Sequence, residues 1–268
     1  MDKKLLLFDI DGTLIDCQHH HKNISDKTKE VLLQLKEEGH YIFIASGRPY
    51  CYLSQELREF PFDGYILNDG AYLILPHHQI ITHPISRQKL DPIIKQVIDY
   101  QLTLIAYAKK YAYIYNDDGT LLDYAKTFLI DDQLVKNIHH IEDIHDDIYK
   151  IHVQCHNEDD YLHFQLNEQD FFSGDDEKHF LKEIYSRTYT KATALKEILS
   201  LLDIPIQNSY FFGDGLNDIE MLDTVGYGIA MENACQEVKN HADEVCKSVL
   251  QDGIAEFILE SGIFFHKV

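Results

Sequence analysis

The sequence predicts an α/β fold: a parallel sheet with helices on both faces, interrupted by an inserted α+β unit. Three observations carry that prediction. Two apolar runs, Leu5-Leu6-Leu7-Phe8 and Ser209 to Phe212, end in carboxylates and glycine turns, Asp9-Ile10-Asp11-Gly12 and Gly213-Asp214-Gly215-Leu216-Asn217-Asp218. Strand-like and helix-like segments alternate along the first part of the chain, and after residue 84 the texture changes. Open α/β sheets place their chemistry outside the carboxyl ends of the strands, which is where both carboxylate runs fall.

The elements follow in order. Leu5 to Phe8 is short, apolar and bounded by a turn, so it reads as a buried strand. Ser25 is suited to cap a helix in which Val31, Leu32 and Leu35 recur at helical spacing and which Gly39 ends. Tyr41 to Ala45 is the second strand, with Ser46 at its C-terminal end beside the Asp9 strand. A helix follows Pro49, and Tyr65 to Leu67 is a third strand that runs into Asn68-Asp69-Gly70. Strands separated by helices imply a parallel sheet covered on both faces.

Beyond residue 84 a helix-like segment, Leu90 to Tyr100, precedes an aromatic strand at Tyr111 to Tyr115. A hairpin turn is expected at Asn116-Asp117-Asp118-Gly119, with further strand-like pieces around Tyr149 to Gln154 and Tyr161 to Gln165. Residues 84–186 are therefore expected to form the insertion, and residues 1–83 and 187–268 the core. The core resumes near Lys191, passes through Asp214 and Gly226 to Ala230, and closes with helices near 234–240 and 253–261.

Carboxylates gathered at neighbouring strand ends repel: two unit charges roughly 4 Å apart cost about 4 kcal/mol at an effective dielectric of about 20. A cation is needed among them. Hard oxygen donors with no nearby His or Cys pair favour Mg²⁺, which keeps some waters and commonly engages substrate phosphate.

Four segments in order, Asp9-Ile10-Asp11-Gly12-Thr13, Ala45-Ser46-Gly47-Arg48-Pro49, Tyr189-Thr190-Lys191-Ala192 and Gly213-Asp214-Gly215-Leu216-Asn217-Asp218, resemble the four motifs of the haloacid dehalogenase superfamily. Their spacing resembles the Cof-type, or IIB, phosphatases. The third motif departs from the family pattern, with Thr188 and Ala192 where relatives usually carry glycine. The resemblance implies a Rossmann-like core, a C2-type α+β cap, and Mg²⁺-dependent hydrolysis of a small phosphomonoester, a sugar phosphate or similar metabolite.

By the same resemblance Asp9 is the nucleophile and Asp11 the acid and base. Mg²⁺ is expected on Asp9, the Asp11 carbonyl, Asp214 and Asp218, and Thr13, Ser46, Gly47, Lys191 and Asn217 on the phosphoryl group. Arg48 is expected either on substrate or paired with Asp69 or another core carboxylate, and Asp69 either on substrate or forming a turn. Two alternatives stand beside hydrolysis: a phosphomutase, which shares core and cap, and a non-catalytic phospholigand-binding protein. A mutase needs a basic cap, and 84–186 contains Arg87 as its only arginine.

Composition excludes rather than selects. With 24 Lys+Arg against 45 Asp+Glu, a net charge of -21 repels nucleic acid and anionic membrane. No run approaches the roughly 18 apolar residues of a membrane helix. Cys17, Cys51, Cys155, Cys235 and Cys246 show no paired spacing and read as free thiols of a reducing, cytoplasmic setting. Asn23-Ile24-Ser25 fits a glycosylation acceptor only in a secreted chain, and His19-His20-His21 reads as an exposed loop. The oligomeric state is open.

Overall fold

A computed structural model describes residues 2–17 and 19–265. β1 (Leu5–Phe8) leads through α1 (Asp26–Glu37), β2 (Tyr41–Ala45), α2 (Gln55–Glu59) and β3 (Gly64–Leu67) to β4 (Tyr72–Ile74) and β5 (Ile80–Thr82). The chain continues through α3 (Arg87–Asp99), β6 (Thr103–Ala108), β7 (Ala112–Tyr115), α4 (Thr120–Thr127) and β8 (Val135–Ile138). β9 (Ile148–Gln154), α5 (Glu158–His163), β10 (Phe171–Asp176) and β11 (Leu181–Ser186) complete that stretch. It ends with α6 (Lys191–Leu202), β12 (Ser209–Gly213), α7 (Ile219–Thr224), β13 (Tyr227–Met231), α8 (Gln236–Asn240), β14 (Glu244–Cys246) and α9 (Gly253–Ser261).

These strands form two sheets. The first has the order β14-β13-β12-β1-β2-β3-β4-β5, parallel from β14 to β3, with β4 and β5 running antiparallel at the edge. That antiparallel edge was not expected from the strand-helix alternation; β4 and β5 follow β3 with no helix between them, so they return as a meander. β1 sits between β12 and β2, with Phe8 level with both Phe212 and Ile44. Leu6 and Phe8 pack with Leu32, Leu35 and Ile258 on one face, while Leu5 and Leu7 pack with Leu195, Ile198 and Met221 on the other. A strand buried on both faces needs the unbroken apolar run that β1 has.

The second sheet has the order β10-β11-β9-β6-β7-β8. Period-two alternation sorts its side chains. Leu104, Ala106, Ile151 and Val153 pack on Leu90, Ile93 and Val97 of α3. Ile105, Tyr107 and Ile114 face the other way, against Leu121 and Ala125 of α4 and against Cys51 and Tyr52 of the first unit. The chain crosses between sheets after β5 and again before α6, and there His83 and Tyr189 stack with ring centroids 4.0 Å apart.

Two local expectations are corrected. Asn116 to Gly119 is not a hairpin turn: β7 and β8 are parallel neighbours joined through α4. Asp118 accepts from the Thr120 amide and Asp117 from the amides of Leu121 and Leu122, so the two acids satisfy the open end of a helix. Residues 161–163 belong to helix α5, not to a strand. Asn157 caps it by accepting from the Asp160 amide, and Glu158, Asp159 and Asp160 complement the dipole in its first turn. The five cysteines are free thiols. Among the described residues no helix is long and apolar enough to cross a membrane.

Candidate active site

The site begins one residue beyond β1. The Asp9 amide bonds the Phe212 carbonyl at 2.9 Å, extending the β1–β12 ladder and fixing the buried Asp9 carboxylate at the sheet's carboxyl edge. Thr190 caps α6 by accepting from the Thr193 amide. That places Lys191 at the helix start, where its ammonium bonds Asp9 Oδ1 at 2.8 Å and Asp218 Oδ1 at 2.6 Å. Asp218, fully buried, also accepts from the amides of Asp214 at 3.1 Å and Gly215 at 3.0 Å. The reading of Lys191 as a site residue thus acquires a geometry: it is 3% exposed between two carboxylates.

Asp214 accepts from the Thr13 hydroxyl at 2.9 Å and from Asn233 Nδ2 at 3.0 Å. Asn233 also bonds the Gly12 carbonyl at 2.9 Å, tying the first turn to the last. Gly12 has φ +77°, and a Cβ there would meet Asp214 Oδ2 at 2.0 Å, so the turn requires glycine both for its backbone and for its space.

One carboxylate oxygen from each of Asp9, Asp214 and Asp218 lies within 4.8 Å of the others. Burial raises the Asp9 carboxyl well above its ordinary range although Lys191 opposes it, and burial pushes Asp214 up to about 6. Burial works against the Lys191 ammonium as well, yet Asp218 and Asp9 override it and raise its pKa. Three acids around one ammonium leave negative charge in surplus. The donor set is entirely hard oxygen, and it fits a divalent metal ion.

Asp11 points to the other side of the cleft. Arg48 grips it with a fork, Nε to Oδ2 at 2.7 Å and Nη2 to Oδ1 at 2.6 Å, and donates Nη1 to the Tyr52 carbonyl at 2.8 Å. Of the carboxylates that Arg48 was expected to meet, Asp11 is the partner and Asp69 is not. Asp69 instead accepts from Lys150 at 2.7 Å and from Asn217 at 3.5 Å. It sits in a run of left-handed residues, Asn68, Asp69 and Gly70 at φ +50°, +55° and +112°, a conformation costing on the order of 1–3 kcal/mol per non-glycine residue. A Cβ on Gly70 would meet the Thr190 carbonyl at 2.2 Å, so this turn abuts the cap of α6.

A cavity of about 280 Å³ joins these groups. Asp9, Asp11, Ser46, Gly47, Arg48 and Asn217 line its floor, and Tyr124, Phe128, Lys150, His152, Leu181 and Glu183 its roof. Lys191, Asp214 and Asp218 stand behind Asp9, while Thr13 is fully buried beneath Asp214 and away from the cavity. The roof residues were not singled out from the sequence. Lys150 and His152 project from the same face of β9, and Glu183 of β11 lies level with His152. The only sequence signal was polar residues alternating with apolar ones in β9, which any half-exposed strand shows. His19, His20 and His21 are exposed, and His19 bonds Asp16.

Acidic strand ends of a parallel α/β sheet, roofed by a second α+β layer, define a class of phosphoryl-transfer hydrolases. The chain belongs to the haloacid dehalogenase-like hydrolases, whose family profile matches residues 6–258, and within them to the Cof-type phosphatases. It is 31% identical over 273 residues to YkrA of Bacillus subtilis, described provisionally as a phosphatase, covering 98% of this chain and 99% of that one. It is 27% identical to the same organism's 5-amino-6-(5-phospho-D-ribitylamino)uracil phosphatase YitU, over 96% of each chain. A hypothetical protein of Geobacillus kaustophilus superimposes with a TM-score of 0.84 at 26% identity, over 97% of this chain and 99% of that one. A subclass IIB sugar phosphatase shares the fold, with a TM-score of 0.82 at 24% identity, over 97% of this chain and 100% of that one.

Proposed function

We propose that the protein hydrolyses a small phosphomonoester with Mg²⁺, through an aspartyl-phosphate on Asp9. The observation that supports this reading is the knot of Asp9, Lys191 and Asp218 beside Asp214, opening onto a cavity whose far side holds Asp11. Asp9 is the carboxylate common to knot and cavity. One of its oxygens attacks phosphorus as the bond to the leaving oxygen breaks. Arg48 holds Asp11 at rest; released from that fork and protonated, Asp11 gives the leaving oxygen its proton and then takes one from the water that cleaves the Asp9 acyl phosphate. The balance is ester plus water to alcohol plus phosphate.

Lys191 commits two of its three protons to carboxylates, which leaves one for a phosphoryl oxygen. Ser46, Gly47 and Asn217 complete the cradle from the cavity floor. Thr13 acts through Asp214, which it holds. Asp9, the Asp11 carbonyl, Asp214 and Asp218 would hold Mg²⁺, which when bound neutralises charge on the phosphoryl group. In this reading 84–186 is the cap, 1–83 and 187–268 the catalytic core, and the setting cytoplasmic.

Release of inorganic phosphate from an aryl phosphate and a panel of metabolite esters tests it. Turnover that depends on Mg²⁺ and stops in EDTA is the expected result. Full activity in chelator sinks the metal assignment, and no release from any ester sinks hydrolysis.

A further inference from the structure

The cations of the cavity are already committed. Lys150 has three protons, and three acceptors meet them: Asp69 Oδ2 at 2.7 Å, the Gly47 carbonyl at 2.9 Å and the Glu183 carboxylate. Arg48 commits its fork to Asp11. His152 shares a hydrogen bond at Nδ1 with the Tyr107 hydroxyl, and its buried Nε2, without a hydrogen-bond partner, lies 3.7 Å from Glu183 Oε1. Glu183 lines the roof together with Lys150 and His152, its side chain 40% exposed while that of Lys150 is 3% exposed. Burial opposes the charge on Glu183, but the Lys150 ammonium overrides it and holds the carboxyl far below the usual range.

A ligand entering from the Asp9 end therefore meets on the roof an exposed carboxylate beside an ammonium whose three protons are already bonded. A second anionic group on that ligand would have to displace Glu183 or Asp69 from Lys150. Displacing Asp69 would leave a buried charge uncompensated, and displacing Glu183 would give up its bond to Lys150 and leave its carboxylate beside the new anion. An uncharged leaving group pays no such cost, and Tyr52, Tyr124, Phe128 and Leu181 offer it surface to lie against.

We infer that Glu183 is a charge filter: the site takes phosphomonoesters whose leaving group bears no further anion, and rejects bisphosphates, diphosphates and phosphorylated carboxylic acids. The inference rests on the phosphatase reading only in seating the phosphoryl group at Asp9.

Binding of two non-hydrolysable phosphonates of matched length tests it without turnover. With Mg²⁺ present, calorimetry compares 3-hydroxypropylphosphonate with 3-phosphonopropionate on the full chain. The neutral ligand should bind at least about tenfold more tightly, the scale of one like-charge contact, and Glu183→Gln should narrow the ratio to about twofold or less. Equal affinities in the wild type, tighter binding of the carboxylate, or binding of neither ligand would each overturn the filter. So would an unchanged ratio in a folded Glu183→Gln protein; if that variant does not fold, the wild-type ratio decides alone. A wild-type ratio as expected in a protein that hydrolyses no ester leaves the filter standing and removes the hydrolase reading.

Discussion

Two buried lysines approach the cavity from opposite sides, and they are built differently. Lys191 comes from the first turn of a capped helix and bonds two carboxylates contributed by neighbouring strand ends of one sheet. Lys150 comes from the middle of a strand in the other sheet and joins Asp69 of the core to Glu183 of the cap. Lys191 thus completes a site that belongs to one unit. Lys150 is a bond between units, tying β9 to Asp69 and to the Gly47 carbonyl. On the proposed function, the contrast separates a part of the molecule that would handle a phosphoryl group from a part that would meet whatever the phosphoryl group is attached to.

The largest effect should come at the core. Asp9→Asn should lower phosphate release by several orders of magnitude while circular dichroism stays unchanged, since losing a nucleophile disables the whole unit; residual activity above about 1% would reassign it. Next, Lys191→Met should destabilise the fold by roughly 3–5 kcal/mol in urea titration, because Asp9 and Asp218 are left buried and unpaired. Lys150→Met should cost less, roughly 1–3 kcal/mol, since Glu183 can turn to solvent. Equal losses for the two lysines would erase the distinction between them.

Smaller still is the hydroxyl chain beneath Lys150. Tyr107 shares its hydroxyl with Tyr52 at 2.7 Å and His152 at 3.0 Å, linking cap to core a second time. Tyr107→Phe should cost about 1 kcal/mol by thermal melting, and the Tyr52→Phe, Tyr107→Phe double variant little more if the two hydroxyls act together. Last is a pH effect. The Glu183 carboxyl is depressed in the folded protein, so it adds stability above its unfolded pKa of about 4.3, and that stability fades as pH falls toward the folded value. Glu183→Gln should flatten the acid limb of the stability curve below about pH 4.3. An acid limb as steep as in the wild type would show that other carboxylates govern it.

How much could be read from the chain depended on sequence distance. Asp9 and Asp11, like Asp214 and Asp218, lie within single strand-end turns, so the letters that form the turn also place the carboxylates. Arg48 was legible as a site residue but its partner was not, because Asp11 and Asp69 flank it in sequence and only strand order decides between them. Lys150, His152 and Glu183 were invisible: they meet through the pairing of β9 with β11, some thirty residues apart, and no local pattern encodes that register. The acids at 117 and 118 were misread for a related reason. A glycine turn after a strand serves a hairpin or a helix cap equally well, and the choice rests on whether the next strand pairs directly or across a helix.

The contact between Gly70 and the Thr190 carbonyl carries a consequence for inheritance. The two positions are 120 residues apart, yet a Cβ at position 70 would lie 2.2 Å from the backbone oxygen of residue 190, so position 70 is held to glycine by a distant stretch of main chain. Any side chain gained at position 70 must force the turn after β3 and the start of α6 apart, at the helix end that carries Lys191. Descendants of this chain can therefore rework the roof residue by residue, while the glycine after β3 must be handed down for as long as α6 begins where it does.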